Sequence, residues 1–271
     1  MKSFTAQKNG KLVKLSLEYV EGLSYSAVMK LLRNKDVKVN GKRTNKDLAL
    51  NVGDVVELYI FDLVPKTYEL IYSDQNIVVV NKISGYTSET VFESIKKDYK
   101  EAYFIHRLDR NTSGIMIFAL NKKSEEELLK GFKNRDFTKK YIARVVGKPY
   151  KKSDVLTAYL VKDKERGIVK IYDKKIEGSV LIKTGYEILR EYDETTDLIV
   201  TLYTGKTHQI RAHLAYIGYP IVGDGKYGNG EFNKKYGKDG QMLSAFSLTL
   251  KFSENSLLYY LDGKNFVLEN K

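Results

Sequence analysis

The sequence predicts an α+β protein in which a mixed, mostly antiparallel β-sheet with flanking helices follows a small N-terminal α/β module. Three observations lead there. The runs Ile77-Val78-Val79-Val80 and Ile115-Met116-Ile117-Phe118-Ala119 are continuous enough to be strands buried on both faces. Helical patterns are inserted between the strand-like regions with no regular βαβ repeat, which disfavours a doubly wound sheet. Residues 12–60 carry helix and hairpin signals of their own, and a joint over Leu63 to Thr67 containing Pro65 follows them. The expected domains are therefore 1–62 and 63–271.

A chain of 271 residues with 42% hydrophobic content can bury a substantial core. Its formal charge is +12, from 46 Lys and Arg against 34 Asp and Glu. Such an excess favours a polyanionic partner, because each neutralised phosphate releases counterions and the field steers encounter. A merely soluble lysine-rich surface accounts for the charge equally well. The absence of cysteine excludes disulfides and thiolate catalysis. The first residues, MKSFTAQKNGK, contain no apolar run of signal length, and no segment approaches the roughly 18 apolar residues of a membrane span. The expectation is a cytoplasmic protein without a membrane partner.

In chain order, Leu12 to Val20 is short and partly alternating, and Ser24 is placed to cap a helix with Ala27, Val28, Leu31 and Leu32 on its apolar face. Val37-Lys38-Val39-Asn40-Gly41-Lys42 reads as a strand entering an Asn-Gly hairpin turn, and Asn51-Val52-Gly53-Asp54 as a turn before a strand over Val55 to Phe61. Residues 1–60 hold 11 Lys or Arg against 6 Asp or Glu, a net charge of +5. Lys30, Arg33, Lys35, Lys38, Lys42, Arg43 and Lys46 gather around the helix and hairpin, where they suit RNA phosphates or simply a solvated face. Residues 16–60 resemble an S4-type RNA-binding domain, on the strength of Val37 to Lys42 followed by Val52-Gly53-Asp54.

Beyond the joint, Glu69 to Val80 reads as one or two strands, Thr90 to Tyr99 as a helix, and Ile115 to Ala119 as a buried strand. Ser124 to Arg135 is expected to be helical with Leu128, Leu129 and Phe132 on one face, and Lys139 to Val146 extended. From Val155 to Ile182 the chain is polar and interrupted, with short extended pieces such as Gly167 to Tyr172; clear periodicity resumes at Gly185 to Leu189 and Leu198 to Tyr203.

The most informative stretch is His106-Arg107-Leu108-Asp109-Arg110-Asn111-Thr112-Ser113-Gly114. It sets one carboxylate between two guanidiniums, whose permanent charge favours an ionised aspartate. Such a group suits a nucleophile or a general base. The second dense segment, Thr204-Gly205-Lys206-Thr207-His208-Gln209-Ile210-Arg211-Ala212-His213-Leu214, opens a helix whose first turn can face an anion. Gly205-Lys206-Thr207 lacks the upstream glycine pattern of a nucleotide-binding loop, so nucleotide hydrolysis is rejected. His106, His208 and His213 have no usual metal-ligand spacing; they read as hydrogen-bonding scaffold, with an RNA contact as the alternative for His208.

Taken together, His106 to Gly114, Lys140-Tyr141-Ile142-Ala143, Thr204 to His213 and Gly223-Asp224-Gly225-Lys226-Tyr227-Gly228 resemble the RluA-type pseudouridine synthases. The resemblance implies the pseudouridine synthase catalytic fold and isomerisation of uridine in structured RNA without a cofactor or metal: the N1–C1′ bond breaks, the uracil turns, and C5 joins C1′. It makes Asp109 the catalytic carboxylate, leaving open attack on the ribose, attack on the base, or removal of the C2′ proton. It makes Tyr141 the ring beside the everted uracil and Arg211 the partner of Asp109.

Arg107, Arg110, Lys140, Lys206 and His208 are expected to contact RNA, with Lys30, Arg33, Lys38, Lys42 and Arg43 in the first module. Leu108, Ile210 and Leu243 are expected in the pocket or in plain packing, and Gly114 and Gly205 to meet backbone geometry. Lys82-Ile83-Ser84-Gly85 departs from the family's usual Lys-Pro-x-Gly, Tyr86-Thr87-Ser88 from its usual continuation with a His, Lys206 from a frequent Arg and Ser244 from a frequent His. Large-subunit ribosomal RNA is the favoured target over transfer RNA, no DNA partner is expected, and a monomer is. The alternatives are a transfer-RNA enzyme of the same family, a homologue that only binds RNA, and a retaining glycosidase, which wants a second carboxylate about 5 Å from the first.

Overall fold

Residues 1–20, 23, 25–60, 67–163, 165–236 and 240–268 are described by a computed structural model. They fall into two units, Met1–Pro65 and Lys66–Lys271. The Ser24 cap, Phe61 and all of the expected joint except Thr67 lie outside the described residues.

The first unit runs β1 (Lys2–Thr5), β2 (Gly10–Lys11), α1 (Leu12–Tyr19), α2 (Tyr25–Arg33), β3 (Val37–Val39), β4 (Lys42–Thr44), β5 (Ala49–Leu50) and β6 (Val55–Leu58). An antiparallel sheet of order β1-β6-β3-β4 and the pair β2-β5 enclose a core that includes Leu12, Leu15, Val28, Leu32 and Val56. The stretch from Leu12 that alternates on paper is a helix, because Leu12, Leu15 and Ser16 fall on one buried face at helical spacing. Asn40 and Gly41 both take positive φ, 49° and 79°, so the Asn-Gly hairpin turn forms between β3 and β4.

The second unit contains β7 (Tyr68–Ser73), β8 (Ile77–Lys82), α3 (Ser88–Asp98), β9 (Tyr103–Phe104), β10 (Ser113–Ala119), α4 (Lys122–Asn134), β11 (Thr138–Val146), β12 (Ser153–Asp163), β13 (Ile168–Tyr172), β14 (Val180–Glu191), β15 (Thr195–Leu202), α5 (Gln209–Tyr216), α6 (Gly230–Tyr236), β16 (Leu243–Thr249) and β17 (Asn265–Val267). Eleven strands form one sheet of order β13-β12-β14-β15-β11-β16-β10-β8-β7, with β9 on β10 and β17 on β16. The ladders are antiparallel except β10 with β16, so the sheet is mixed and mostly antiparallel as expected.

Strands β8 and β10 are buried on both faces. Val78, Val80, Met116 and Phe118 enter one core with Val91 and Ile95 of α3, while Ile77, Val79, Ile115 and Ile117 enter another with Leu128 of α4. Each such side chain contributes about 1.5–3 kcal/mol on full burial, which explains the unbroken apolar runs.

Two expectations fail here. Leu129 is 41% exposed, because α4 presents only a narrow stripe to the sheet. The polar region from Val155 to Ile182 contains most of β12, all of β13 and the first three residues of β14; β12 is a long strand near a sheet edge whose solvent-facing residues hide the period-2 signal.

The parallel seam between β10 and β16 requires glycine at 114. Its φ is +117°, and a Cβ there would lie 2.4 Å from the backbone N and O of Ala245. Gly205 is different: its φ lies outside the left-handed region, and an added Cβ would make only an ordinary 3.7 Å contact with Lys139.

Candidate active site

The segment 106–112 enters β10 and is fixed by the chain around residues 82–88. Thr87 caps α3 by accepting from Thr90 N, which places Ser88 to bond Leu108 twice: its Oγ donates to Leu108 O and accepts from Leu108 N, both at 2.9 Å. Lys82, fully buried at the end of β8, donates to Ile83 O at 3.1 Å, Tyr86 O at 2.6 Å and Arg110 O at 2.9 Å. Burial lowers its ammonium to about 8, against the opposing pull of the Asp109 charge. Gln241 donates to Thr112 Oγ1 at 2.5 Å. The aspartate loop is thus held by buried donors on both flanks.

The guanidinium that meets Asp109 comes from α5. Arg211 donates from Nη1 to Asp109 Oδ2 at 2.8 Å, and from Nε and Nη2 to the two oxygens of Asp224 at 2.7 and 2.9 Å. The flanking arginines of the sequence motif point elsewhere: Arg110 donates from Nε to Gly85 O at 2.9 Å, and Arg107 lies 3.5 Å from Glu89 on the surface. Local sequence neighbours on a loop diverge in direction, so the expected double flank is replaced by one distant partner.

Asp224 is itself anchored by Lys226 N at 2.8 Å and Tyr227 N at 3.1 Å. Despite burial, these donors and Arg211 hold its carboxyl below the usual range, and Arg211 stays protonated. Asp109 Oδ2 and Asp224 therefore share one guanidinium, with Asp224 fully buried and Asp109 partly open to a cleft.

That cleft has a volume of about 850 Å³ and is lined by Leu108, Asp109, Tyr141, Ile210, Arg211 and Leu243 among others. Tyr141 is 8% exposed, and burial together with the Asp109 charge pushes its phenol well above its ordinary value, so the hydroxyl keeps its proton. A carboxylate, a neutral phenol and aliphatic side chains together suit a planar heterocycle attached to a reacting carbon.

Arg107, Arg110, Lys206 and His208 line the same cleft. Lys140 does not. It alternates with Tyr141 along β11 and is exposed, whereas Lys139 lines the cleft with its Nζ 5.4 Å from the Phe132 ring centre. In the first unit Lys30, Arg33, Lys42 and Arg43 are exposed, and Lys38 and Arg43 lie 5.0 and 5.3 Å from the Tyr59 ring centre. His106 is half-buried at the cleft and accepts from Ile117 N at 3.1 Å, and desolvation together with the Lys139 charge lowers it to about 3. His213 bonds Thr184 Oγ1 at 3.0 Å and is lowered by burial to about 4. Both rings are neutral scaffold.

Sequence reasoning assigned no role to Lys82, Ser88, Lys139, Asp224 or Tyr227. Asp224 and Tyr227 stood within the Gly223 to Gly228 motif, and Lys82 as a charge terminating an apolar run. Nothing local marked Ser88 or singled out Lys139 over its neighbour.

A family model described as RNA pseudouridylate synthase matches residues 76–216. The ribosomal large subunit pseudouridine synthase C of Rickettsia felis is 32% identical, over 77% of this chain and 78% of the relative. The dual-specificity RNA pseudouridine synthase RluA of Escherichia coli K12 is 33% identical, over 60% of this chain and 78% of the relative. The solved structure of human RNA Pseudouridylate Synthase Domain Containing 1 shares the fold, with a TM-score of 0.65 and 23% identity over 75% of this chain and 83% of that one. With its mixed sheet and its carboxylate cleft, the chain belongs to the RNA pseudouridylate synthase family, RluA-type enzymes that isomerise uridine in RNA.

Proposed function

We propose that Asp109 carries out this isomerisation, that Arg211 and Tyr141 assist it, and that the substrate is large-subunit ribosomal RNA. The observation that carries the reading is the Asp109 carboxylate, tied through Oδ2 to a buried Arg211 and opening on the cleft that also contains Tyr141. The balance of the reaction is simple: N1–C1′ breaks, C5–C1′ forms, the C5 proton leaves, and N1 gains a proton. Whether the carboxylate attacks C1′, attacks the base or takes the C2′ proton, Arg211 orients it and Tyr141 offers the everted uracil a ring and a hydroxyl. As the resemblance implies, no cofactor enters.

The ribosomal target rests on the relatives, which include ribosomal large subunit enzymes as well as a dual-specificity one. An S4-like role for residues 1–62, ahead of a catalytic domain over 63–271, is supported by the helices α1 and α2 packed with the Asn-Gly hairpin and by the exposed Lys30, Arg33, Lys42 and Arg43. Deleting residues 1–62 is expected to weaken RNA affinity and flatten its salt dependence while leaving a folded catalytic unit. An unchanged salt slope would remove that role.

The decisive experiment uses RNA tritiated at uridine C5, from which each turnover releases one tritium. Asp109→Asn is expected to bind this RNA and release none. Release at the native rate would end the assignment. Mapping pseudouridines in cells with and without the gene identifies the target.

A further inference from the structure

His208 caps α5 in a left-handed conformation, φ 53°, with its ring lining the cleft. Its Nδ1 lies 2.9 Å from the Tyr227 hydroxyl, which in turn accepts from Val169 N at 2.7 Å. A phenol oxygen engaged in this way has its own proton left to donate, and Nδ1 is the acceptor in reach. The imidazole proton then resides on Nε2, which stands 3.9 Å from Asp109 Oδ2. An N–H facing a carboxylate is favourable where a bare nitrogen lone pair is not, so the charge side of the ring selects the same tautomer.

Tyr227 also ties His208 to the arginine system. Its ring meets the imidazole edge to face, with centroids 5.6 Å apart, and lies 5.3 Å from the Arg211 guanidinium carbon. The turn that positions Tyr227 is held by Asp224, the residue that forks Arg211. One structural unit thus aims two donors at the same carboxylate oxygen.

We propose that His208, fixed as the Nε2–H tautomer by Tyr227, is a positioning residue that closes on Asp109 Oδ2 in the RNA complex and, with Arg211, turns Oδ1 toward the reacting nucleoside. The proposal rests on Asp109 being the reacting group. The 3.9 Å separation is a long apo contact of the kind that shortens when substrate fills a site. Burial, Arg211 and Lys226 oppose protonation of the ring, Asp109 and Asp224 favour it, and burial is the largest influence, so His208 is neutral at neutral pH.

The full chain contains three histidines, so nitrogen-15 NMR of histidine-labelled protein reads each tautomer separately. Nε2–H is expected at His208 in the native chain, and a mixture in Tyr227→Phe. Single-turnover tritium release from C5-tritiated RNA is expected to fall roughly ten- to a hundredfold in His208→Phe, the cost of one hydrogen bond to a charged group, with the RNA concentration dependence unchanged. His208→Gln, whose amide places a donor near the Nε2 position, is expected to recover most of the loss.

An Nδ1–H tautomer, a native rate in His208→Phe, or weakened RNA binding at a native maximal rate would each overturn the proposal, the last assigning His208 to an RNA contact. Should His208→Phe fail to fold, the tautomer and His208→Gln decide. Turnover surviving in Asp109→Asn would instead defeat the underlying reading, so the two failures are distinct.

Discussion

Asp109 and Asp224 share Arg211, yet their removal is expected to affect stability in opposite measure. Asp224 is fully buried and accepts four hydrogen bonds, from Arg211 Nε and Nη2 and from the amides of Lys226 and Tyr227. In Asp224→Asn one oxygen becomes an amide donor. Placed at Oδ2 it faces the Nε–H of Arg211, and turned around it faces three donors at Oδ1. Breaking one side of a buried ion pair costs about 3–5 kcal/mol.

Asp109→Asn removes a charge from the cleft, but Arg211 keeps its two-pronged partner in Asp224. The expected cost is about 1 kcal/mol or less. At roughly 2–4 °C per kcal/mol for a unit of this size, Asp224→Asn should melt on the order of 10 °C below Asp109→Asn. Urea unfolding of both variants at pH 7 measures the difference. Tritium release completes the contrast: none from Asp109→Asn, and a reduced but measurable rate from Asp224→Asn, whose guanidinium still reaches Asp109. Because the Asp224 carboxyl titrates below its ordinary value, its contribution is present above about pH 4 and is lost as the pH falls through the lower folded value, so the stability gap should close in acid. Equal destabilisation by the two substitutions, or a larger loss from Asp109→Asn, would refute the reasoning.

Replacing Lys82 by Met keeps the stem but strands the carbonyls of Ile83, Tyr86 and Arg110; a loss of roughly 3 kcal/mol and a slower maximal rate are expected by chemical denaturation and tritium release. Since the buried ammonium titrates at about 8 and the unfolded one higher, the unfolded chain binds more protons above pH 8. This group's contribution to stability therefore rises with pH there, while the rate should fall as the third donor is lost. A rate flat through pH 9 would contradict that. Gly114→Ala places a methyl 2.4 Å from the Ala245 backbone at a positive φ, and loss of soluble folded protein, or destabilisation beyond 3 kcal/mol on the scale of strain and overpacking combined, is expected in thermal melts.

Much of the scaffold was legible in the sequence because its signals are local. The double-sided strands β8 and β10 announced themselves as unbroken apolar runs, and Asn40-Gly41 as a hairpin turn. Strand β12 was obscured, since solvent on one face lets polar residues interrupt the pattern. The site was legible only as a set of motifs. Nothing in His106 to Gly114 reveals that Arg107 and Arg110 turn away from Asp109, or that Lys139 rather than Lys140 shares the side of β11 that carries Tyr141.

The sequence by itself determined the composition of the site: one aspartate in a tight loop, one tyrosine on a strand, one arginine on a later helix, and a basic N-terminal module ahead of them. The resemblance paired Arg211 with Asp109; the tertiary structure alone decided how they meet and that Asp224 joins them. Arg211 and Asp109 lie 102 residues apart, and Asp224 joins them from a third segment. Hydrogen-bond direction and burial act over a few ångströms of space, not along the chain, and only the folded sheet brings those segments within that range.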